Sequence, residues 1–250
     1  KAGIVIFVIV LTITAVWIKS MDSHRISGRI LAENIAGPGM LRLVEQSMQA
    51  RIRKASVAEI AVKEQKHPQA ALTFDDGPDS RYTPLLLDGL KERNVRVSFF
   101  LLGEKVEQYP ELVERMQKEG HLVGNHTYHH VQLNKLNETK AREEILKTNN
   151  LIYETTGVYP LYLRPPFGAW KKNLELCVEM LPVFWTIDTL DWKVQNTEKI
   201  VRTVQEQIED GAIILMHDEY DTSVEAALQV VDELKNQGYE LVTVDQLILP

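Results

Sequence analysis

The feature that most constrains the fold is an alternation of short apolar runs and helical segments, which begins at residue 70. Between the runs, segments 111–116 and 224–231 repeat apolar residues at the spacing of one helix face. Strands that alternate with helices pair in parallel, because each helix returns the chain to the same edge of the sheet. The alternation therefore predicts an α/β fold with about seven parallel strands, closed or nearly closed into a barrel. The predicted strands are residues 70–74, 95–101, 121–125, 161–164, 183–187, 212–216 and 240–244.

The first run ends in two neighbouring carboxylates, Asp75 and Asp76, in the string Phe-Asp-Asp-Gly-Pro. Alone, this string is as well explained by a strand that runs into a turn. Segment 124–130 holds three histidines within five residues, and its outer pair, His126 and His130, has the spacing of one face of a helical turn. One carboxylate and two imidazoles can hold a divalent metal with open coordination positions. The two motifs together predict a metal site beside a second carboxylate that is free to act as a base.

Three further motifs follow or end later runs, which is where barrel enzymes place their active sites. They are Arg-Pro-Pro-Phe-Gly at 164–168, Asp-Thr-Leu-Asp-Trp at 188–192 and Ile-Ile-Leu-Met-His-Asp at 213–218. In order and spacing, the five motifs resemble those of the NodB-like polysaccharide deacetylases, carbohydrate esterase family four. The resemblance covers about residues 68–248. It implies a distorted (β/α) barrel and the metal-dependent hydrolytic removal of acetyl groups from a polysaccharide.

The resemblance also implies roles for the two carboxylates, the outer histidines and the arginine of the first three motifs. Asp76, the second carboxylate of the pair, would bind the metal together with His126 and His130. Asp75 would be the general base that takes the proton of the attacking water. Arg164 resembles the arginine that holds this base in place through opposite charge. The implied cofactor is a divalent metal, expected to be Zn²⁺, with Co²⁺ and Mn²⁺ as alternatives.

The last two motifs are implied to serve the leaving amine. His217 is the candidate general acid, although a histidine at the end of an apolar strand is more often a core residue. Asp191 would orient this histidine and favour its protonated form. Asp188 competes for the same role, and spacing alone does not separate the two aspartates.

Three residues are implied to contact the substrate. The backbone N–H of Phe167 would donate to the oxyanion, and its ring would form a wall for a sugar face. Trp192 and Ile214 match the family's apolar lining around the acetyl methyl group. Without the resemblance, all three would be interpreted as ordinary core residues.

Residues 2–18 are uncharged and largely aliphatic, and they lie between Lys1 and Lys19. As a helix they are just long enough to cross a hydrocarbon core with the help of snorkelling lysines. No small-x-small cleavage site follows, and Trp17 is typical of a membrane interface. We therefore predict a single-pass signal-anchor at residues 1–19, with a cleaved signal peptide or a buried soluble helix as alternatives. This prediction places the catalytic part outside the cell membrane, or in the secreted fraction if the segment is cleaved.

Residues 20–67 are predicted to be a helical stalk or brace, and residues 68–250 the deacetylase domain. Residues 1–67 hold 10 Lys and Arg against 5 Asp and Glu, whereas the rest of the chain holds 18 against 30. A basic segment beside the anchor suits anionic lipid, although the positive-inside tendency would prefer it to be cytoplasmic. The acidic remainder argues against nucleic acid as a partner. The one cysteine, Cys177, excludes an intramolecular disulfide.

The sequence thus predicts a deacetylase of N-acetylglucosamine units in a cell-wall polysaccharide, with peptidoglycan as the expected substrate. Chitin oligosaccharides, exopolysaccharides and acetylxylan stay open as substrates, because the motifs specify the chemistry and the loops select the sugar. A non-haem iron oxygenase is a rival, since its iron also takes two histidines and a carboxylate. Asp75, Arg164 and His217 disfavour that rival. A tethered wall-binding module without catalysis is the second rival, and the oligomeric state is not predicted.

Overall fold

The computed structural model describes residues 67–170 and 178–248. Within these ranges, eight strands form one parallel sheet. They are β1 (Gln69–Asp75), β2 (Ser98–Leu101), β3 (Leu122–Asn125), β4 (Tyr162–Leu163), β5 (Leu181–Pro182), β6 (Ile187–Asp188), β7 (Ala212–His217) and β8 (Glu240–Leu241). The helices described are α1 (Tyr82–Glu92), α2 (Gly103–Gln108), α3 (Pro110–Lys118), α4 (Glu138–Thr156), α5 (Asp191–Val194), α6 (Thr197–Gln207), α7 (Asp221–Asn236) and α8 (Val244–Ile248). Short 3₁₀ turns lie at Leu133–Lys135 and Pro166–Gly168.

The strands are ordered β5-β4-β3-β2-β1-β7-β6 across the sheet, and β8 pairs with the start of β1. Only residues 183–186 separate β5 from β6, so one short stretch of chain borders both edges and the sheet curls into a barrel. The predicted parallel (β/α) barrel is confirmed. The predicted strand at 183–187 is wrong in its bounds, because the chain there pairs first with β4 and then with β7. Over 183–186 it crosses between the two strands: Val183 N still donates to Leu163 O at 2.8 Å, and Thr186 N already donates to Ile213 O at 2.9 Å.

Side-chain alternation gives the barrel two apolar layers. Even-numbered residues of β1 and β7, such as Phe74 and Ile214, pack with the helices in the larger core cluster. Odd-numbered residues face the barrel interior, where Ala71 packs with Phe100 and Val183. Because both faces of these strands are covered, their sequences are nearly continuous apolar runs.

Local sequence signals explain several helix ends. The side chain of Asn137 accepts a hydrogen bond from Lys140 N at the start of α4, and Asn196 caps α6 in the same way. Gly157 ends α4 in the left-handed conformation, at φ 73°. These caps set where α4 and α6 begin and where α4 ends.

The predicted signal-anchor (1–19), nearly all of the predicted stalk (20–67) and Cys177 lie outside the described residues. Among the helices that are described, none has both the length and the apolarity needed to cross a bilayer.

Candidate metal centre and active site

The three predicted metal ligands meet at the carboxyl edge of the barrel. Asp76 directly follows β1, and His126 directly follows β3. Asp76 Oδ1 is 3.3 Å from His126 Nε2 and 3.4 Å from His130 Nε2. One potential ligand atom from each residue lies within 4.8 Å of the other two. The structure therefore brings the predicted carboxylate and both outer histidines into one cluster.

The chemistry of this cluster fits a divalent cation. Asp76 Oδ1 is buried and has no hydrogen-bond partner among the described residues. His126 Nδ1 lies 2.7 Å from the carbonyl oxygen of Arg164, so Nδ1 carries the proton and Nε2 presents a lone pair toward Asp76. An outer hydrogen bond of this kind fixes the tautomer of metal-binding histidines. The middle histidine, His129, is instead exposed and pairs with Glu144.

The electrostatics of the cluster also favour a cation. Burial alone would raise the pKa of Asp76, but interactions with His126, His130 and His217 lower it to about 2. Burial alone would lower the pKa of His126, yet the charges of Asp75 and Asp76 raise it above its ordinary value. Negative charge thus dominates around His126, and a bound cation can balance it in place of a proton.

Asp75, the predicted base, is almost fully buried beside the metal cluster. Its Oδ1 accepts a hydrogen bond of 2.8 Å from Arg164 Nη1, while its Oδ2 lies 3.7 Å from His126 Nε2. Arg164 is itself fully buried, also donates to Thr73 Oγ1 at 2.6 Å and stacks over the Phe100 ring at 4.2 Å. Burial lowers the pKa of Arg164, and the charge of Asp75 opposes this shift. The arginine holds one carboxylate oxygen and leaves the other turned toward the metal cluster.

His217, the predicted acid, ends β7 as the register partner of Asp75. Its Nδ1 is 2.8 Å from Asp191 Oδ1, and its backbone N–H donates to Asp191 Oδ2 at 2.8 Å. Burial alone would lower the pKa of His217, but the hydrogen bond to Asp191 outweighs burial and the pKa rises to about 9. Its Nε2 lies 3.8 Å from Asp76 Oδ2, so the protonated nitrogen faces the metal cluster.

The structure separates the two aspartates that the sequence left as competitors. Asp191, not Asp188, pairs with His217. Asp188 accepts a hydrogen bond from Leu190 N at 2.9 Å and lines the cavity in front of the cluster.

This cavity has a volume of about 410 Å³, and aromatic rings line it together with the carboxylates and histidines. Phe167 and Trp192 both line it, with 62% and 49% of their surface exposed. The Phe167 ring lies 4.5 Å from the His130 ring, centroid to centroid. Rings exposed beside a polar cluster suit contact with the apolar face of a sugar.

The assignment of Ile214 to the cavity lining is wrong. Ile214 is fully buried in the helix-facing core, and its neighbour Leu215 lines the cavity. The physical reason is the alternation of side chains along β7, which puts Leu215 on the same face as His217. That alternation is visible in the sequence and would have identified Leu215. Trp185 and Tyr220 also line the cavity and were not predicted from the motifs.

Backbone strain is concentrated at the same edge. Seven non-glycine residues of the described ranges have positive φ, and five of them belong to the sequence motifs. Such conformations persist where the surrounding structure imposes them, and they cluster at functional sites. The five are Asp76, Thr127, His130, Phe167 and Leu190.

Together, the fold and the site define a parallel (β/α)-barrel protein with a candidate metal-binding cluster between the buried Asp75 and the half-buried His217. Residues 62–183 match the family described as polysaccharide deacetylase. The peptidoglycan-N-acetylglucosamine deacetylase PgdA of Listeria monocytogenes is 40% identical over 205 residues, which cover 82% of this chain and 44% of that protein. The peptidoglycan-N-acetylmuramic acid deacetylase PdaC of Bacillus subtilis is 43% identical over 177 residues, 71% of this chain and 38% of that protein.

A solved structure of the peptidoglycan deacetylase PdaC from Bacillus subtilis superposes with a TM-score of 0.71 at 42% identity. The superposition covers 73% of this chain and 91% of that one. The chain belongs to the polysaccharide deacetylase family. It spans less than half the length of the two curated relatives, at 44% and 38%.

Proposed function

We propose that this chain hydrolyses the N-acetyl group of N-acetylglucosamine units in peptidoglycan, with Zn²⁺ held by Asp76, His126 and His130. The observation that carries the proposal is the convergence of three ligand atoms within 4.8 Å, flanked by the buried Asp75 and the half-buried His217. The family and the names of its relatives support an acetylated wall polymer as the substrate. One relative is named for N-acetylmuramic acid, and this sugar is the alternative within the same polymer.

Amide hydrolysis needs a polarised carbonyl, an activated water, a base and an acid. When bound, a divalent cation polarises the carbonyl group and makes a water molecule more acidic. The remaining requirements fall to side chains of this chain.

Asp75 is placed to accept the proton of the attacking water. Arg164 occupies its Oδ1 at 2.8 Å, so Oδ2 is the oxygen available for that proton. Asp75 is 3% exposed, so bulk water has little access to this carboxylate. As the proton passes to Asp75, the oxygen of the attacking water gains the character of hydroxide and forms the new bond to the acetyl carbon.

His217 is placed to donate the proton that the amine needs in order to leave. Its pKa of about 9 keeps the imidazole protonated at neutral pH. Asp191 holds Nδ1, which leaves the Nε2 proton for the leaving nitrogen. The C–N bond then breaks to give acetate and a free amine on the sugar.

We further propose that residues 1–19 anchor the chain in the cell membrane, with the catalytic domain on the wall side. Support for the anchor comes from the uncharged run at 2–18, which lies between Lys1 and Lys19. An enzyme tethered beside the wall meets an insoluble polymer that cannot diffuse to it.

Acetate release by the full chain tests the function. Detergent-solubilised protein is incubated with zinc and peptidoglycan, chitin oligosaccharides or acetylxylan, with Asp75→Asn as the matched inactive control. We expect acetate mainly from peptidoglycan, and mass spectrometry of muramidase digests then shows free amines on glucosamine rather than on muramic acid. Acetate released only from acetylxylan would show that the chain is an esterase and would contradict the proposal. Binding to peptidoglycan without acetate would make the chain a binding module.

A further inference from the structure

Asp76 can bind a metal only if the loop after β1 holds it against two histidines that follow another strand. Asp76 lies at φ 70° and begins the loop that runs from the end of β1 to the start of α1 at Tyr82. No hydrogen bond to Asp76 Oδ1 is formed by any residue that the structure describes. Its position therefore depends on contacts made by its neighbours in the loop.

A buried carboxylate outside the cavity touches this loop. Asp218 follows the candidate acid on β7 and is fully buried, yet it does not line the cavity. Its Oδ2 accepts a hydrogen bond from the Thr83 hydroxyl, across a separation of 135 residues. Thr83 is also fully buried and lies in the first turn of α1. One hydrogen bond thus links the end of β7 to the helix that follows the ligand loop.

The Thr83 hydroxyl serves the loop on its other side as well. Thr83 Oγ1 accepts a hydrogen bond of 2.7 Å from the backbone N–H of Asp79. Asp79 Oδ1 in turn accepts from the backbone N–H groups of Arg81 and Tyr82, both at 2.8 Å. The chain from Asp79 into α1 is therefore fixed by a reciprocal pair of side chains.

Asp218 also packs directly on the loop backbone. A Cβ atom at position 77 would lie 2.4 Å from Asp218 Oδ1, closer than any real contact, so only glycine leaves room for the carboxylate. On the opposite side, the carbonyl of Gly77 accepts a hydrogen bond of 3.2 Å from Leu102 N. Gly77 therefore contacts Asp218, the residue after β7, and Leu102, the residue after β2. Asp79 is bonded to Thr83 of α1.

We propose that Thr83 and Asp218 are positioning residues for the metal centre: their hydrogen bond holds the loop so that Asp76 Oδ1 meets Nε2 of His126 and His130. This inference rests on the proposed metal site and concerns how that site is held. Neither residue touches substrate in this role. Both act through Asp76.

The test compares Thr83→Val with Thr83→Ser in the full chain. Valine keeps the shape of threonine and removes the hydroxyl, whereas serine keeps the hydroxyl and removes the methyl group. Zinc affinity is measured by competition with a chromophoric chelator, and the thermal midpoint of the metal-free protein is measured in parallel. We expect Thr83→Val to bind zinc roughly 10- to 100-fold more weakly, the loss typical of outer supports of metal ligands. Thr83→Ser should bind zinc like the parent chain.

The visible absorption spectrum of the cobalt-loaded protein adds a readout that a purely structural role would not change. A displaced Asp76 alters the ligand field, so Thr83→Val should change the spectrum and Thr83→Ser should preserve it. If the valine variant does not fold, Thr83→Ala removes the same hydroxyl without the branched side chain and takes its place. Equal zinc affinity and equal cobalt spectra for the valine or alanine variant and for the serine variant would overturn the proposal.

A double-mutant cycle shows whether the hydroxyl acts through Asp218. In an Asp218→Ala background the acceptor is absent, so the further change Thr83→Val should weaken zinc binding by much less than it does in the parent chain. An undiminished effect would overturn the link to Asp218. These affinities do not depend on turnover. If the parent chain binds zinc but releases no acetate, the proposed function is contradicted. The zinc affinities of the variants still decide this inference.

Discussion

Two adjacent aspartates have separate environments at the carboxyl end of β1. Asp75 is the last residue of the strand, and its side chain faces the barrel interior, where Arg164 donates to it. Asp76 lies beyond the strand at φ 70°, and its carboxylate lies beside the histidines instead. Two carboxylates that are chemically identical therefore have different neighbours.

This difference predicts opposite effects of substitution on the metal. Replacing Asp76, His126 or His130 with Ala removes a candidate ligand, so bound zinc and acetate release should fall together. Asp75→Asn should keep zinc bound while turnover falls by roughly 100-fold or more, the scale of a lost general base. Elemental analysis after gel filtration and the rate of acetate release check both. Loss of zinc from Asp75→Asn, with zinc and rate retained in Asp76→Asn, would show that the roles are reversed.

The pKa of His217 predicts how activity depends on pH. Asp191 raises this pKa from 6.5 to about 9, so the folded protein keeps the proton across that interval. The stabilisation from this proton is fully present below pH 6.5 and is lost as pH rises through about 9. Activity that needs the acid form should fall over the same alkaline range.

Asp191→Asn removes the charge that raises the pKa, so the alkaline limb of kcat/KM should move to lower pH. The profile is measured at saturating zinc, with Asp188→Asn as the matched control, because Asp188 lines the same cavity but bonds to Leu190 N, whereas Asp191 bonds to His217. An alkaline limb that stays in place in Asp191→Asn, or that moves equally in both variants, would contradict the assignment.

At the scale of elements, β7 divides its side chains between the core and the cavity. Ile214 is fully buried against the helices, whereas Leu215 faces the cavity and is 5% exposed. Ile214→Ala should lower the free energy of unfolding by about 2–5 kcal/mol, because it leaves a hole in a close-packed core. Leu215→Ala should act mainly on KM for the acetylated sugar. Urea titration and steady-state kinetics separate the two effects, and a larger change in KM from Ile214→Ala would show that the strand register is misassigned.

For the whole molecule, metal binding should control both activity and stability. A chelator should abolish acetate release, and added zinc or cobalt should restore it, because the ligand set suits both ions. Zinc should also raise the thermal midpoint, since a ligand that binds only the folded state stabilises it by mass action. Full activity in exhaustively demetallated protein would exclude the mechanism.

The predicted anchor is tested on the whole chain. The full chain should sediment with membranes after cell lysis, because residues 2–18 are uncharged and flanked by lysines. A chain shortened to begin at His67 should stay in the supernatant and release acetate. Recovery of the full chain in the supernatant without detergent would contradict the anchor.

The sequence by itself determined the architecture and the place of the chemistry. Apolar runs that alternate with amphipathic segments predict parallel β/α units, because period and burial are local properties of the chain. Polar motifs at the ends of these runs meet at one edge of the sheet, since parallel strands share a direction. The first two motifs therefore predicted a metal site of one carboxylate and two histidines, and the resemblance to the polysaccharide deacetylases implied that its ligands are Asp76, His126 and His130.

Only the tertiary structure decided which side chains pair across the barrel. Asp191 rather than Asp188 holds His217. The bond between Thr83 and Asp218 joins residues 135 apart, with no signal in the spacing of either one. Such pairs depend on strand register and on the direction of each side chain after its strand ends. Packing of the whole barrel sets the register and these directions, so such pairs cannot be predicted from the local sequence.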